Sequence, residues 1–215
     1  MKAQYILEML DKGKIEELKT LLSDEIYKSK LQNKDGKDRY RAMKRYYRFV
    51  DKNRSEMLKK PCKGIEYQGK LYNCFIDGYC FVMTTESLGN METYDNTNND
   101  YFDIVSLLNF VRQRVGCPTK LDLNSVLATA KSKGYKYKKS EIDTNNALYY
   151  LKYKGSYYKI GLLDKAYSII NDGEKAEVYY SGKRDALIIK NNIGIAGICP
   201  INIKGDIDSK IIIEN

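Results

Sequence analysis

The chain has 215 residues, of which 43% are hydrophobic and 30% charged, enough apolar content for one packed domain or a domain with a small appendage. It contains no histidine, which excludes Ser-His-Asp and Cys-His catalysis within the chain and removes the commonest metal ligand. No apolar run approaches the ~18 residues of a membrane span, and residues 1–20 lack the apolar run of a secretory signal. We expect a cytoplasmic protein without a membrane partner.

The cysteines are five in number and scattered. No C-x2-C pair occurs among them, so a zinc site is not expected. We expect reduced, buried thiols, the usual state in a reducing compartment. The five positions are Cys62, Cys74, Cys80, Cys117 and Cys199.

Positive charge is concentrated near the N-terminus. The net charge is +9, and residues 1–60 hold 17 Lys and Arg against 10 Asp and Glu, a balance of +7. Residues 61–215 therefore carry only +2. Such an asymmetry indicates a polyanionic partner.

Three helices are predicted in the N-terminal segment. Apolar stripes predict helices over 2–11 and 14–31, with Gly13 between them as a C-cap residue. The third helix is expected over about 37–58, and Pro61 ends it. Its apolar face consists of Tyr40, Met43, Tyr47 and Val50. We place a domain boundary here, between a basic helical domain (1–60) and the rest (61–215).

The third helix also carries a cationic ridge. Arg41, Lys44, Arg45, Arg48 and Lys52 cluster on a face about 130° from the apolar one. Such a face can lie along a nucleic-acid backbone, where Tyr46 would stack or donate a hydrogen bond. The alternative is the solvated face of a structural helix.

The middle of the chain alternates strands and helices. Gln68-Gly69 and Asp77-Gly78 predict hairpin turns, with an active-site turn as the alternative for the latter. Residues 86–100 form a polar loop whose acidic side chains match no known metal motif. Helices are expected over 102–115 and up to Lys133, the second capped by Asp122 or Asn124, and a strand over 147–153.

A second basic segment, KSKGYKYKK, spans 131–139. Its interleaved tyrosines and lysines, with Tyr137 and Lys139 as candidate contacts, suit a phosphate backbone or single-stranded bases. The alternative is a solvated linker.

Residues 157–203 predict a β-α-β-β-β unit. A strand near 157–160 precedes a short helix with an apolar stripe, which Asn171-Asp172-Gly173 ends. Three strands follow, at about 176–180, 186–190 and 193–203. Ile211 to Ile213 in the tail suit an edge strand or a partner contact.

This unit resembles the half-domain of a DNA sliding clamp, the β subunit of bacterial DNA polymerase III. The resemblance rests on GLLDKAYSII, EVYYSGKRDALIIK and the closing GICPINI, with Cys199-Pro200 at the place of the family's hydrophobic-Pro pair. GKLYNCFIDGYCFVM also resembles the strand pair that opens a clamp domain. The resemblance implies an α+β fold: an N-terminal helical segment, then a single clamp-like domain of β-α-β-β-β half-domains within 61–203.

The resemblance also implies a function. In the family, basic residues on helices contact double-stranded DNA in a ring of six such domains, so a ring of this chain would need self-association into a homo-oligomer. Lys165 is the only basic residue of the matching helix. Single-domain relatives of this kind suggest a processivity or accessory factor of a phage or mobile element, non-catalytic and without cofactor or metal.

Two alternatives to that function remain. The first is a protein-binding module with a clamp-like fold that recruits or blocks a host replication or defence factor. The second is a nuclease. Against the nuclease, the sequence has no carboxylates at a recognisable spacing and no glycine-rich loop for phosphates.

Overall fold

The computed structural model describes residues 3–15, 18, 22, 34–50, 56–89, 91–94, 101–114, 117–136, 149–203 and 211–214. The fold is a mixed α+β one, as predicted. The helices are α1 (Ala3–Asp11), α2 (Lys34–Val50), α3 (Glu56–Lys59), α4 (Ile104–Arg114), α5 (Leu123–Ser132) and α6 (Ile160–Ile170). The strands are β1 (Cys62–Tyr67), β2 (Lys70–Ile76), β3 (Cys80–Thr84), β4 (Tyr149–Tyr153), β5 (Ser156–Lys159), β6 (Glu177–Tyr179), β7 (Leu187–Lys190), β8 (Gly194–Ile198) and β9 (Ile211–Glu214).

The larger sheet has six strands in the order β1-β2-β3-β8-β7-β6, and all its neighbours are antiparallel. It consists of two three-stranded meanders, β1-β2-β3 and β6-β7-β8. The last strands of the two meanders, β3 and β8, pair with each other from Cys80 opposite Ile198 to Thr84 opposite Gly194. From each edge of the sheet inwards, the three strands of one meander therefore follow in chain order.

Each meander is preceded in the chain by a helix, and the two helices lie on the same face of the sheet. α6 leads directly into β6-β7-β8, and α2, with the one-turn helix α3 after it, leads into β1-β2-β3. α2 and α6 pack against each other, α2 also contacts β2, and α6 contacts β3 and β8. The order helix, strand, strand, strand thus occurs twice, with both helices on one face of the sheet.

The smaller sheet has the order β5-β4-β9. β4 pairs with β5 antiparallel and with β9 parallel. The tail residues Ile211–Glu214 therefore form the edge strand that their sequence suggested. β5, the predicted first strand of the unit at 157–203, pairs here and not with β6, β7 or β8.

The larger sheet buries both of its faces. Phe75, Val82 and Ile189 face the helices α2, α5 and α6 in one apolar cluster. Cys74, Met83 and Ile188, their neighbours in sequence, belong to a second cluster with residues of α4 on the opposite face. This alternation is the period of two that a strand imposes.

Two hairpin turns contain consecutive residues with positive φ, and one of them is the turn predicted at Gln68-Gly69. Gln68 and Gly69 both have positive φ, 52° and 72°, and Lys154 and Gly155 have φ of 47° and 77°. Two consecutive left-handed residues are the signature of the type I′ turn, which matches the twist of antiparallel strands. Asp77-Gly78 also lies in a turn between paired strands, β2 and β3.

Several predicted details differ from the structure. α2 ends at Val50 and a separate helix begins at Glu56, whereas one helix over 37–58 was expected. The helix predicted at 14–31 lies largely outside the described residues. Two of the cysteines expected to be buried, Cys117 and Cys199, are exposed, because one follows α4 in a loop and the other follows β8 at the sheet's end.

α2 and the sheet share one apolar core. Tyr40, Met43 and Tyr46 of α2 belong to the same cluster as the strands after Pro61. The boundary placed at residue 60 stays a prediction, but these side chains cross it. In the described part of the chain, no helix combines the length and apolar character that a membrane span requires.

Candidate nucleic-acid interface

The cationic ridge predicted for the third helix lies on α2. Arg41, Lys44, Arg45 and Arg48 are all exposed. At about 100° per residue they fall within an arc of about 100°, and from Arg41 to Arg48 the ridge is about 10 Å long. Along one DNA strand that length corresponds to about three phosphates.

Two of the ridge side chains contact other residues of α2. Arg41 Nη1 lies 3.2 Å from Asp38 Oδ1, but both groups are more than half exposed, so this pair adds little to stability. Lys44 Nζ lies 4.7 Å from the centroid of the Tyr40 ring, a cation–π contact within the helix. The positive groups therefore remain accessible to an anionic partner.

Tyr46 does not belong to the ridge, contrary to the prediction. It is fully buried and stacks on Phe75 of β2 with ring centroids 5.5 Å apart. Its hydroxyl donates to the Cys80 carbonyl oxygen at 3.2 Å, and burial raises its pKa well above the ordinary value. The physical reason is rotational: five residues after Arg41, Tyr46 lies about 140° around the helix.

Three predicted contact residues lie outside the described residues: Lys52, Tyr137 and Lys139. The second basic segment is described up to Lys136. Lys131, Lys133 and Lys136 are exposed, and Lys133 Nζ donates to the Ile212 carbonyl oxygen at 3.3 Å, beside β9.

The two basic segments meet at Asp164 of α6. Burial raises the pKa of this carboxyl group, and the positive charges of Lys131 and Arg45 act in the opposite direction, as does the hydrogen bond from Tyr135. Both cations are therefore close enough to Asp164 to stabilise its ionised form. Lys131 of α5 and Arg45 of α2 thus both act on the same carboxylate, that of Asp164.

Tyr135, one of the tyrosines of the second segment, faces inward. It is buried, and its hydroxyl donates to Asp164 Oδ2 at 3.3 Å. Its ring also makes an edge contact with Tyr149, with centroids 5.5 Å apart. Tyr135 therefore cannot stack on a base, as the interleaved pattern suggested for the tyrosines of this segment.

Lys165 contributes no charge to the surface. It is 2% exposed, and its Nζ lies 2.6 Å from Asp77 Oδ2, which is equally buried. Asp77 Oδ1 accepts from the backbone N–H groups of Tyr79 and Cys80. Lys165 Nζ also lies 4.3 Å from the centroid of the Tyr46 ring. The one basic residue of the helix that matches the clamp text is thus part of a buried polar cluster.

This buried cluster was not predicted. The turn at Asp77-Gly78 was the only part of it that the sequence indicated. Asp77 was assigned to a turn, which is correct, but its side chain also neutralises a lysine that is 88 positions away in the chain. The cluster joins α2, the β2–β3 turn and α6. Its contacts with Tyr46 add to those of Tyr40 and Met43 in the core, and the ridge lies on the opposite, outward side of α2.

The acidic loop residues considered as metal ligands are paired with cations. Glu86 lies 3.2 Å from Arg39, and Glu92 lies 2.7 Å from Lys60. Asp95 and Asp100 lie outside the described residues. Across the described ranges, no three Cys, Asp or Glu side chains are grouped so that they could hold a metal ion.

Comparison with known proteins does not assign a family to this chain. A scan against family models, a search of curated proteins and a search of solved structures each find no match.

Proposed function

We propose that this chain is a non-catalytic DNA-associated protein that contacts the phosphates of double-stranded DNA through the ridge of α2. The observation that carries the proposal is the two-sided character of this helix. One side is fixed in the core by Met43 and Tyr46, and the other presents four exposed cations along about 10 Å. Phosphate contacts of this kind need no base-specific side chains.

We also propose that the chain is related to sliding clamps and serves as an accessory factor of a phage or mobile element. It is supported by the repeated order of helix and three-stranded meander, with α2 and α6 side by side on one face of the sheet. In clamps, basic residues on helices contact the DNA, and α2 carries such residues. The arrangement differs in two respects from half-domains contained within 61–203: β5 pairs in the smaller sheet, and α2, the helix before the first meander, lies before residue 61.

The test is fluorescence anisotropy with a labelled DNA duplex at ~50 and ~200 mM salt. Three phosphate contacts would weaken binding about 40-fold between these concentrations, because each contact releases counterions. The variant Arg41→Gln/Arg45→Gln/Arg48→Gln should lose most of the affinity. Glutamine avoids placing a new carboxylate beside Asp164.

The matched control removes three exposed lysines elsewhere: Lys63→Gln/Lys70→Gln/Lys175→Gln. It should bind nearly as well as the unmodified chain. If the unmodified chain does not bind the duplex at low salt, or if both variants bind equally well, the proposal is wrong.

A protein-binding module is the second candidate. Leu7 and Leu10 of α1 are 59% and 48% exposed, and Ile15 just after the helix is 51% exposed. Exposed apolar side chains in one segment are typical of a surface that a partner covers. This candidate gains weight if duplex binding is absent, and a Leu7→Ser/Leu10→Ser variant would then lose a captured partner.

A further inference from the structure

An open groove of about 630 Å³ lies at the end of the molecule formed by the β4–β5 turn. One wall consists of Lys183 and Arg184, from the connection between β6 and β7. The opposite wall is formed by residues 200–203, which follow β8, and Tyr157 of β5 lies between them. The volume is in the range of ligand-binding clefts.

Both cations of the groove, Lys183 and Arg184, are exposed. In the described part of the chain, neither Lys183 nor Arg184 forms an ion pair, and no carboxylate is among the groove's lining residues. Asp185 follows them, but its carboxylate lies towards Gly182. An anionic ligand in the groove would therefore meet two positive groups.

The cationic wall is held in position by contacts with the turn. Ser156 Oγ donates to the Lys183 carbonyl oxygen at 2.9 Å. The alkyl chain of Lys183 lies over Gly155, where an added Cβ would be 3.0 Å from Lys183 Cε. An added Cβ would make Lys183 shift slightly, and Gly155 also has the positive φ of 77° that favours glycine in this turn.

The floor and the opposite wall offer apolar and aromatic surface. Ile201 donates its backbone N–H to the Tyr157 carbonyl oxygen at 2.9 Å, which fixes Pro200 and Ile201 beside β5. Next to the groove, Lys154 Nζ lies 5.5 Å and 5.2 Å from the ring centroids of Tyr153 and Tyr180. Cations and tyrosines thus alternate around this end of the molecule.

We infer that this groove binds single-stranded nucleic acid, with phosphates against Lys183 and Arg184 and a base against Tyr157 and the apolar wall. A guanidinium group suits phosphate because its N–H donors form a planar fork. A duplex keeps its bases stacked inside, so only an unpaired strand offers a base to Tyr157. The inference does not rest on the ridge of α2, which lies on another element and would bind a duplex.

The test measures anisotropy of a labelled oligothymidine of about ten nucleotides with the full chain at low salt. The Lys183→Gln/Arg184→Gln variant should bind about tenfold or more weakly, and the slope of log K against log salt should fall by about 1.4. Tyr157→Leu should weaken binding while leaving that slope unchanged. The control Lys63→Gln/Lys70→Gln removes the same charge from the far edge of the sheet.

The ridge variant separates this inference from the proposed function. Arg41→Gln/Arg45→Gln/Arg48→Gln should keep its affinity for oligothymidine and lose its affinity for duplex DNA. The inference is overturned if the groove variant binds oligothymidine as well as the control does. It is also overturned if polyglutamate competes as effectively as oligothymidine, which would assign the groove to acidic protein segments. Thermal unfolding of each variant shows whether a loss of binding is a loss of fold.

Discussion

The buried pair of Lys165 and Asp77 adds to the core contacts that hold α2 in one orientation. Each ion would be costly to bury alone, but the pair is 2.6 Å apart and Asp77 also accepts two backbone N–H groups. Since the Tyr46 ring lies against the same ammonium group, the charged pair and the aromatic side chain specify one rotation of the helix.

Replacing Lys165 with methionine should destabilise the fold strongly. The change leaves a buried carboxylate without its cation, which costs about 3–5 kcal/mol when one partner of a buried pair is removed. Urea unfolding followed by circular dichroism measures the free energy. The double variant Lys165→Met/Asp77→Asn should recover part of the loss, because no buried charge remains. Equal losses in the single and double variants would mean that the ion pair is not what stabilises this site.

Gly197 is required by close packing in the sheet. An added Cβ would overlap the ring of Phe81, its cross-strand partner in β3. Gly197→Ala should therefore cost about 1–3 kcal/mol through overpacking. Adding Phe81→Leu frees the space, so the cost of the alanine should be smaller in that background. A double-mutant cycle in urea measures the coupling, and strict additivity would exclude this contact as the cause.

Asp164 should make stability depend on pH. Burial raises its pKa in the folded state above the ordinary value of 3.8, so the folded chain binds this proton more tightly than the unfolded chain. Its contribution is therefore most favourable at low pH and declines as pH rises through the folded-state pKa. Asp164→Asn should remove that decline, so the difference in unfolding free energy between variant and unmodified chain should grow with pH. A constant difference would contradict the assignment.

At the scale of elements, local signals were the most predictable. The Gln68-Gly69 turn, the Asp122 cap of α5 and the end of α6 at Asn171 depend on residues within a few positions, and all three occur where they were predicted. The start of α6 differs, because Ile160 was assigned to the preceding strand and is the first residue of the helix. One mechanism differs: Asn171 ends α6 in an extended conformation, with ψ of 115°, and not in the left-handed one.

Contacts between distant elements were not predictable from local signals. The pairing of β5 with β4 and β9, and the burial of Tyr46 and Lys165, depend on residues tens of positions away. A lysine in a short helix carries no local mark of its buried partner. The four ridge cations that the structure describes are exposed, as predicted. Tyr46, which lies among them in the sequence, was placed on the wrong side of the helix.

At the scale of the whole molecule, two helix–meander units share one sheet. Because α2 packs on β2 and α6, the part of the chain before residue 60 completes the core of the part after it. The predicted division at this point therefore has a direct test. A chain of residues 61–215 lacks Tyr40, Met43 and Tyr46, and it should fail to show a cooperative thermal transition. A cooperative transition would support two independently folding domains.

We propose above that the outward face of α2 binds DNA phosphates. The sharpest experiment is the salt dependence of duplex binding for the single variants Arg41→Gln, Arg45→Gln and Arg48→Gln. Each change should reduce the slope of log K against log salt by about 0.9, because each removes one phosphate contact. The Lys175→Gln control, an exposed lysine after α6, should leave the slope unchanged. Slopes that stay the same in all three arginine variants would show that the ridge does not contact DNA.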